Sequence, residues 1–207
     1  MKKTGKCVVI SGPSGSGKTT LSNYLISISK LNLNFSISAT TRECRKGEID
    51  GKNYYFLSLN DFKTKIKNNE FLETEEVYPN VFYGTLKSEI DRIWGLGKNI
   101  LFDVDVYGGL NIKKTYPEST ISIFIDSPNK MTLNERLKSR GSESQSSLKV
   151  RLKKAEIESQ KSIYFDYIIM NKNLEQAKKK LYDIVFEFFL LWLQICFPPL
   201  SLLFSSF

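Results

Sequence analysis

The run Gly12-Pro13-Ser14-Gly15-Ser16-Gly17-Lys18-Thr19 is a complete Gly-x-x-x-x-Gly-Lys-Thr phosphate-binding loop. Its glycines let backbone amides approach an anion with no Cβ in the way. The first amides of a following helix are unpaired and point at the same spot, with the positive end of the helix dipole behind them. Lys18 adds a mobile charge that reaches the β- and γ-phosphates, and the Thr19 hydroxyl is a hard donor suited to magnesium. Such a loop calls for a nucleoside triphosphate and leaves open what receives the phosphate. A Gly/Ser loop that merely caps a helix would explain the letters but not the flanks.

Those flanks must position the loop. Cys7-Val8-Val9-Ile10-Ser11 is a short apolar run that reads as a buried strand, and Leu21, Tyr24, Leu25 and Ile28 repeat at helical spacing from Lys18 to about Ser29. A second chemical group follows. Arg42 and Arg45 offer two planar forks for one phosphate, and Tyr54 can donate a phenolic hydrogen bond to it. The plainer alternative is a solvated, charged loop. Phe35, Ile37 and Ala39 alternate as one strand before this group, Lys46-Gly47 and Asp50-Gly51 mark turns, and Tyr54–Leu57 resumes as a strand. A third group sits at the end of the apolar run Asn99–Asp105, where Asp103 can reach magnesium or its waters beside the loop. Asp105 reads either as a ligand residue or as the cap of the next helix.

The long stretch Ser-x-Ser-Ala-Thr-Thr-Arg-x-x-Arg-x-Gly-Glu-x-Asp-Gly-x-x-Tyr-x-Phe, starting at Ser36, resembles guanylate kinase, and with the loop the resemblance runs from about Lys6 to about Ile184. It implies transfer of the ATP γ-phosphoryl to GMP, with dGMP as a further acceptor, in purine nucleotide metabolism. It also implies Mg2+ as cofactor, held near Thr19 and Asp103. ATP would be bound by Gly12 through Thr20, with Asn171 beside adenine. GMP would be bound by Ser38, Arg42, Arg45, Tyr54, Glu73, Tyr83, Thr85 and Asp105. In this assignment Glu73 reads guanine and Tyr83 holds the monophosphate. A carboxylate suits that task, because adenine lacks the donor pair and would leave the charge unsatisfied. Lys18, Arg42, Arg136, Arg140 and Arg151 would carry the catalysis. Two departures stand out: Cys44 replaces the usual proline, predicting an exposed thiol, and the chain is one residue longer than usual between Glu73 and Tyr83.

The expected fold is α/β, a P-loop kinase fold with a parallel sheet flanked by helices, a monophosphate-binding insert and a helical lid. Residues 1–187 read as one guanylate-kinase-like domain. Its core lies at about 1–35, 86–128 and 155–187, the insert at about 36–85 and the lid at about 129–154. The lid reading rests on basic helices at Met131–Lys138 and Ser147–Ser159 around a polar tip. Asn60-Asp61 can cap a short helix, Lys87–Leu96 reads as another, and Leu174 to about Phe186 closes the chain as an amphipathic helix. Residues 188–207 form an atypical apolar tail. A surface or tail anchor, an altered reading frame and a homodimer contact are all open for it, and such a patch predicts aggregation.

Composition bounds the rest. The chain has 207 residues, 41% of them hydrophobic and 25% charged, as in a globular protein of ordinary size. The net charge of +8 suits anionic ligands. With His 0, histidine triads and histidine metal sites are excluded. Cys7, Cys44 and Cys196 are far apart and form no C-x-x-C, which reads as reduced thiols in a cytoplasmic protein. No leader segment is read at the N-terminus. The expected partners are ATP and GMP. No nucleic-acid partner is expected, since no aromatic platform or zinc finger supports one, and the apolar run before Pro198 is too short to span a bilayer. Competing readings are a kinase for another nucleoside monophosphate and a guanylate-kinase-like scaffold that binds phosphorylated peptides. The intact loop argues against the scaffold, and Glu73 argues against another base.

Overall fold

A computed structural model of the chain describes residues 5–128 and 155–196. Its elements, in order, are β1 (Cys7–Ser11), α1 (Lys18–Ser27), β2 (Leu33–Phe35), β3 (Ala39–Thr40), β4 (Tyr55–Phe56), α2 (Leu59–Lys67), β5 (Phe71–Tyr78), β6 (Val81–Leu86), α3 (Lys87–Gly95), β7 (Asn99–Asp103), α4 (Val106–Thr115), β8 (Thr120–Asp126), β9 (Tyr167–Met170) and α5 (Leu174–Cys196). Residues 155–160 are also helical. The expected helices at Met131–Lys138 and 147–154 lie outside the described residues, as do Arg136, Arg140 and Arg151.

Five strands in the order β2-β7-β1-β8-β9 form one sheet, parallel throughout. Its three central strands, β7, β1 and β8, are buried on both faces, and the side chains divide with period two. Val8, Ile10, Leu101, Ile121, Ile123 and Ile125 pack with Leu21 and Leu25 of α1 and with Leu181 and Val185 of α5. Cys7, Val9, Ile100, Phe102 and Phe124 pack on the other face with Ile90 and Ile93 of α3 and Ile112 of α4. The expected parallel sheet flanked by helices is what the chain forms.

A second sheet has the order β4-β3-β6-β5. It closes a small core of Ala39, Phe62, Phe71 and Leu86, in which the rings of Phe62 and Phe71 stack at 4.4 Å. The single strand expected through Phe35, Ile37 and Ala39 is in fact two. β2 ends in the parallel sheet and β3 begins in the second one, so residues 36–38 cross between sheets. The alternation persists across the crossing because apolar cores lie on both sides of it. The extra residue between Glu73 and Tyr83 is absorbed by a bulge. Glu76 pairs with Phe82 and Tyr78 with Val81, leaving Val77 unpaired, while Glu75 still faces Tyr83.

Two helix ends differ from expectation. α2 is capped by Ser58, whose Oγ accepts from the Asp61 amide at 3.1 Å, so the cap precedes Asn60-Asp61. The closing helix runs ten residues beyond Phe186, to Cys196. Phe186, Phe188 and Phe189 pack against the α1/α5 face of the core, and Lys6 Nζ sits 4.8 Å above the Phe188 ring. The start of the apolar tail is therefore part of the fold, whereas Leu190 and Leu191 are exposed. Among the described residues no helix is long and apolar enough to cross a membrane. A chain cut after Glu187 loses both rings and is expected to be less stable by about 2–3 kcal/mol. Thermal melting checks this, and an unchanged midpoint would show that the rings contribute nothing.

Candidate functional site

The phosphate-binding loop leaves β1 at the carboxyl end of the parallel sheet, where ligands of open α/β sheets bind. Two of its glycines are required by geometry. Gly12 has φ 143° and Gly17 has φ 97°, both left-handed. A Cβ at Gly12 would strike the Ile125 carbonyl, and one at Gly17 would strike the Asn171 side chain. Pro13, Gly15 and Ser16 are buried, Ser14 half-buried, and Thr20 exposed on α1. Lys18 Nζ donates to the carbonyls of Gly12 at 2.6 Å and Pro13 at 3.1 Å, which holds its charge at the mouth of the loop.

Asn171, expected beside adenine, contacts the phosphate-binding loop. Its buried amide nitrogen donates to the Ser16 carbonyl at 2.8 Å, so it braces the loop from beneath.

Thr19 Oγ1 donates to Asp103 Oδ2 at 3.3 Å. Two hard oxygens side by side at the loop fit a magnesium ion that keeps several waters. Among the described residues no group of three or more His, Cys, Asp or Glu could hold a metal, so waters and phosphate oxygens would complete such a site. Burial raises the Asp103 pKa above the usual carboxylate range, against the opposing pull of the Lys18 charge and the Thr19 hydroxyl.

The second sheet supplies the facing wall. Arg42 donates from Nη1 and Nη2 to the two carboxylate oxygens of Glu48, each at 2.9 Å, from Nη1 also to the Glu43 carbonyl at 2.6 Å, and from Nε to the Tyr83 hydroxyl at 3.2 Å. This corrects the picture of two forks on one phosphate. Of the five N–H groups of Arg42, one on Nη2 remains. The fork that turns toward the cavity without a carboxylate partner is that of Arg45, whose side chain is exposed and whose amide donates to Glu48 Oε2 at 2.8 Å. Hydrogen bonds from Arg42 and from the Arg45 amide hold the Glu48 carboxyl down at about 2. The Tyr54 ring lies 5.2 Å from the Arg42 guanidinium carbon, and burial raises its phenol above the usual range, which keeps the hydroxyl a donor. Cys44 is exposed, as its replacement of proline predicts, with Sγ 3.4 Å from the Glu48 carbonyl.

Glu73 lies deeper, on β5. Its Oε1 accepts from Thr85 Oγ1 at 2.6 Å, and Thr85 is fully buried. Thr85 thus orients the carboxylate, in place of the direct ligand contact expected of it. A Cβ at Gly108 would approach Glu73 Oε2 to 2.8 Å, so the bare backbone of α4 makes room for that carboxylate. Burial lifts the Glu73 pKa to about 7, with Asp105 adding repulsion and Thr85 opposing. Asp105 caps α4, since Oδ1 accepts from the Gly108 amide at 2.8 Å, and it also lines the cavity.

These groups meet. A cavity of about 570 Å³ is lined on one side by Gly12, Ser14, Lys18 and Asp103. Ser38, Arg42, Arg45, Tyr54, Glu73 and Tyr83 line it on the other. A phosphate loop and a second cluster of cationic and phenolic donors therefore face each other across one space.

The guanylate kinase family model matches residues 4–188. The chain belongs to the guanylate kinase family. It is 48% identical over 188 residues to the guanylate kinase of Bacteroides fragilis, covering 90% of this chain and 92% of that protein. It is 46% identical over 185 residues to that of Bacteroides thetaiotaomicron, covering 89% and 90%. In three dimensions it is similar to the crystal structure of guanylate kinase from Anaplasma phagocytophilum, with TM-score 0.70 and 31% identity over 89% of this chain and 86% of that one. Relatives of this kind do not favour the scaffold or another monophosphate kinase.

Residues without an assigned role in the sequence also shape the site. Ser11 Oγ lies 3.0 Å from the Val104 carbonyl and 2.9 Å from that of Asp105, tying the turn after β7 to β1. Glu48, a letter of the motif that starts at Ser36, holds the Arg42 fork.

The Glu73 shift has a sign that can be tested. The unfolded chain loses this proton near 4.5 and the folded one near 7. Between those values the folded state binds more protons, so stability falls as pH rises and levels off above about 7. Glu73→Gln is expected to remove this slope and to be more stable than the parent above pH 7 by about 2–3 kcal/mol. Urea denaturation at a series of pH values checks it, and parallel curves for the two proteins would refute it.

Proposed function

We propose that this member of the guanylate kinase family catalyses transfer of the γ-phosphoryl of ATP to GMP, giving ADP and GDP. The observation that carries this is one cavity lined by both anion cradles and by the carboxylate of Glu73. Ser38, Arg45, Tyr54 and Tyr83 would hold the GMP phosphate, with Arg42 contributing charge and one N–H. Glu73, held by Thr85, would accept from the guanine ring N–H and amine, and this requires its ionised form. Asp105 would lie on the GMP side.

In this reading a GMP phosphate oxygen attacks the γ-phosphorus in line, and the bond to the β,γ-bridging oxygen breaks. The acceptor oxygen is already anionic near neutral pH, so no general base is needed, in keeping with a chain that has no histidine. Backbone amides of residues 14–20 and the Lys18 ammonium would neutralise charge and fix the donor, leaving positioning and electrostatics as the main sources of rate. Magnesium, held through Thr19 and Asp103 or their waters, would offset the charge of the triphosphate when bound. Arg136, Arg140 and Arg151 are proposed to bring further positive charge on a lid. The thiols of Cys7 and Cys44 are in keeping with a reducing, cytoplasmic setting.

A coupled ADP-release assay with magnesium-ATP and GMP, AMP, UMP or CMP in parallel tests the assignment. Turnover is expected with GMP and at most traces with the others; none with GMP would overturn it. Lys18→Ala is expected to lower kcat by about 10²–10³-fold while the circular dichroism spectrum is kept. Parent turnover in that variant would remove Lys18 from the mechanism. Glu73→Gln is expected mainly to raise the KM for GMP, by at least about 10-fold, and an unchanged KM would argue against guanine reading by this carboxylate.

A further inference from the structure

The two sheets are joined at two places, the crossing at residues 36–38 and the junction of β6 with α3 at Leu86–Lys87. One buried carboxylate touches the surroundings of both. Glu89 stands in the first turn of α3 with its side chain 1% exposed. Its Oε1 accepts from the Ile37 amide at 2.9 Å and from Arg92 Nη2 at 2.6 Å. Its Oε2 accepts from the Tyr55 hydroxyl at 2.9 Å and from Arg92 Nε at 2.9 Å. Four donors fill the capacity of an ionised carboxylate. Burial works against the charge, but Arg92, the Ile37 amide and the Tyr55 hydroxyl together hold the carboxyl below its usual range.

The origin of the donors gives this network its meaning. Arg92 belongs to α3, which packs on the parallel sheet. Ile37 is in the crossing, and Tyr55 is on β4 of the second sheet. Tyr55 also donates its amide to the Ser38 carbonyl at 3.0 Å, and its neighbour Tyr54 lines the cavity beside Ser38. Contacts from Glu89 therefore run to the wall opposite the phosphate loop, and none of its four bonds reaches residues 12–19.

We propose that Glu89 is a positioning residue that fixes the second sheet against the parallel sheet through the Ile37 amide and the Tyr55 hydroxyl, and thereby sets the affinity for the acceptor nucleotide. It touches no reacting atom. The nucleotide part of this inference rests on the GMP assignment above, whereas the mechanical part does not.

The test uses the full chain and two variants. Tyr55→Phe deletes one bond and keeps the ring in its small core, and Glu89→Gln replaces the acceptor pair. Steady-state kinetics give KM for GMP, KM for ATP and kcat. Separately, spin labels on Lys63→Cys of α2 and Lys114→Cys of α4, with Cys44→Ser and Cys196→Ser, report the distance distribution between the sheets without nucleotide. Tyr55→Phe is expected to raise the GMP KM about 10-fold, to leave the ATP KM within about twofold, and to broaden the distribution. Glu89→Gln should do the same at least as strongly. An unbroadened distribution, an unchanged GMP KM, or equal rises in both KM values would each overturn the proposal. If the parent protein shows no turnover with GMP, the functional assignment fails on its own, and the label distances still decide whether Glu89 joins the sheets.

Discussion

Phosphates repel one another, so a cavity that brings two phosphate tails together must hold its compensating charge in place beforehand. Much of this structure follows from that constraint. On the donor side the charge is partly backbone. Left-handed glycines at 12 and 17 fold the loop tightly, and packing against the Ile125 carbonyl and the Asn171 amide leaves no room for side chains there. On the acceptor side it is guanidinium. Arg42 is fixed by a carboxylate partner, a phenol and a backbone carbonyl, so little side-chain entropy is left to lose when an anion binds.

Negative groups are placed by the same logic. Glu48 occupies the fork of Arg42 and keeps that cluster from being a pure concentration of positive charge. Asp103 lies against Thr19 at the loop, where the magnesium ion is proposed to sit. Glu73 is the expensive one, because burial opposes its ionised form and Thr85 compensates only in part. Such a cost suits the proposed task of reading guanine, since hydrogen bonds left unmet would discriminate against bases without a matching donor pair.

How much of this could be read from the letters depends on how local each feature is. The phosphate loop is legible because its function lies in backbone geometry that glycine spacing dictates. The parallel sheet is legible because strands buried on both faces are mostly apolar, without break in Cys7–Ile10 and with Ser122 as the one polar residue in Ile121–Ile125. The split at residues 36–38 is not, since Phe35, Ile37 and Ala39 keep one alternation while serving two sheets. Nor are the side-chain pairings. Glu48 meets Arg42 only when the intervening loop folds, and Glu89 looks like a surface residue of an amphipathic helix until Ile37 and Tyr55 are brought to it. The bonds from Thr85 to Glu73 and from Asn171 to the loop join residues far apart in the chain, which spacing does not reveal. The helix that ends the described chain exceeds its expected length because Phe188 and Phe189 still find the core, which local composition does not reveal.

The central claim is that one cavity accepts two phosphate-bearing nucleotides with their tails toward each other. Calorimetric titration with a single molecule in which adenosine and guanosine are joined through a phosphate chain tests it most directly. Binding of one such molecule per chain, competed away by ATP and by GMP alike, is the result this account predicts. Competition by only one of the two, or binding of two molecules per chain, would contradict it.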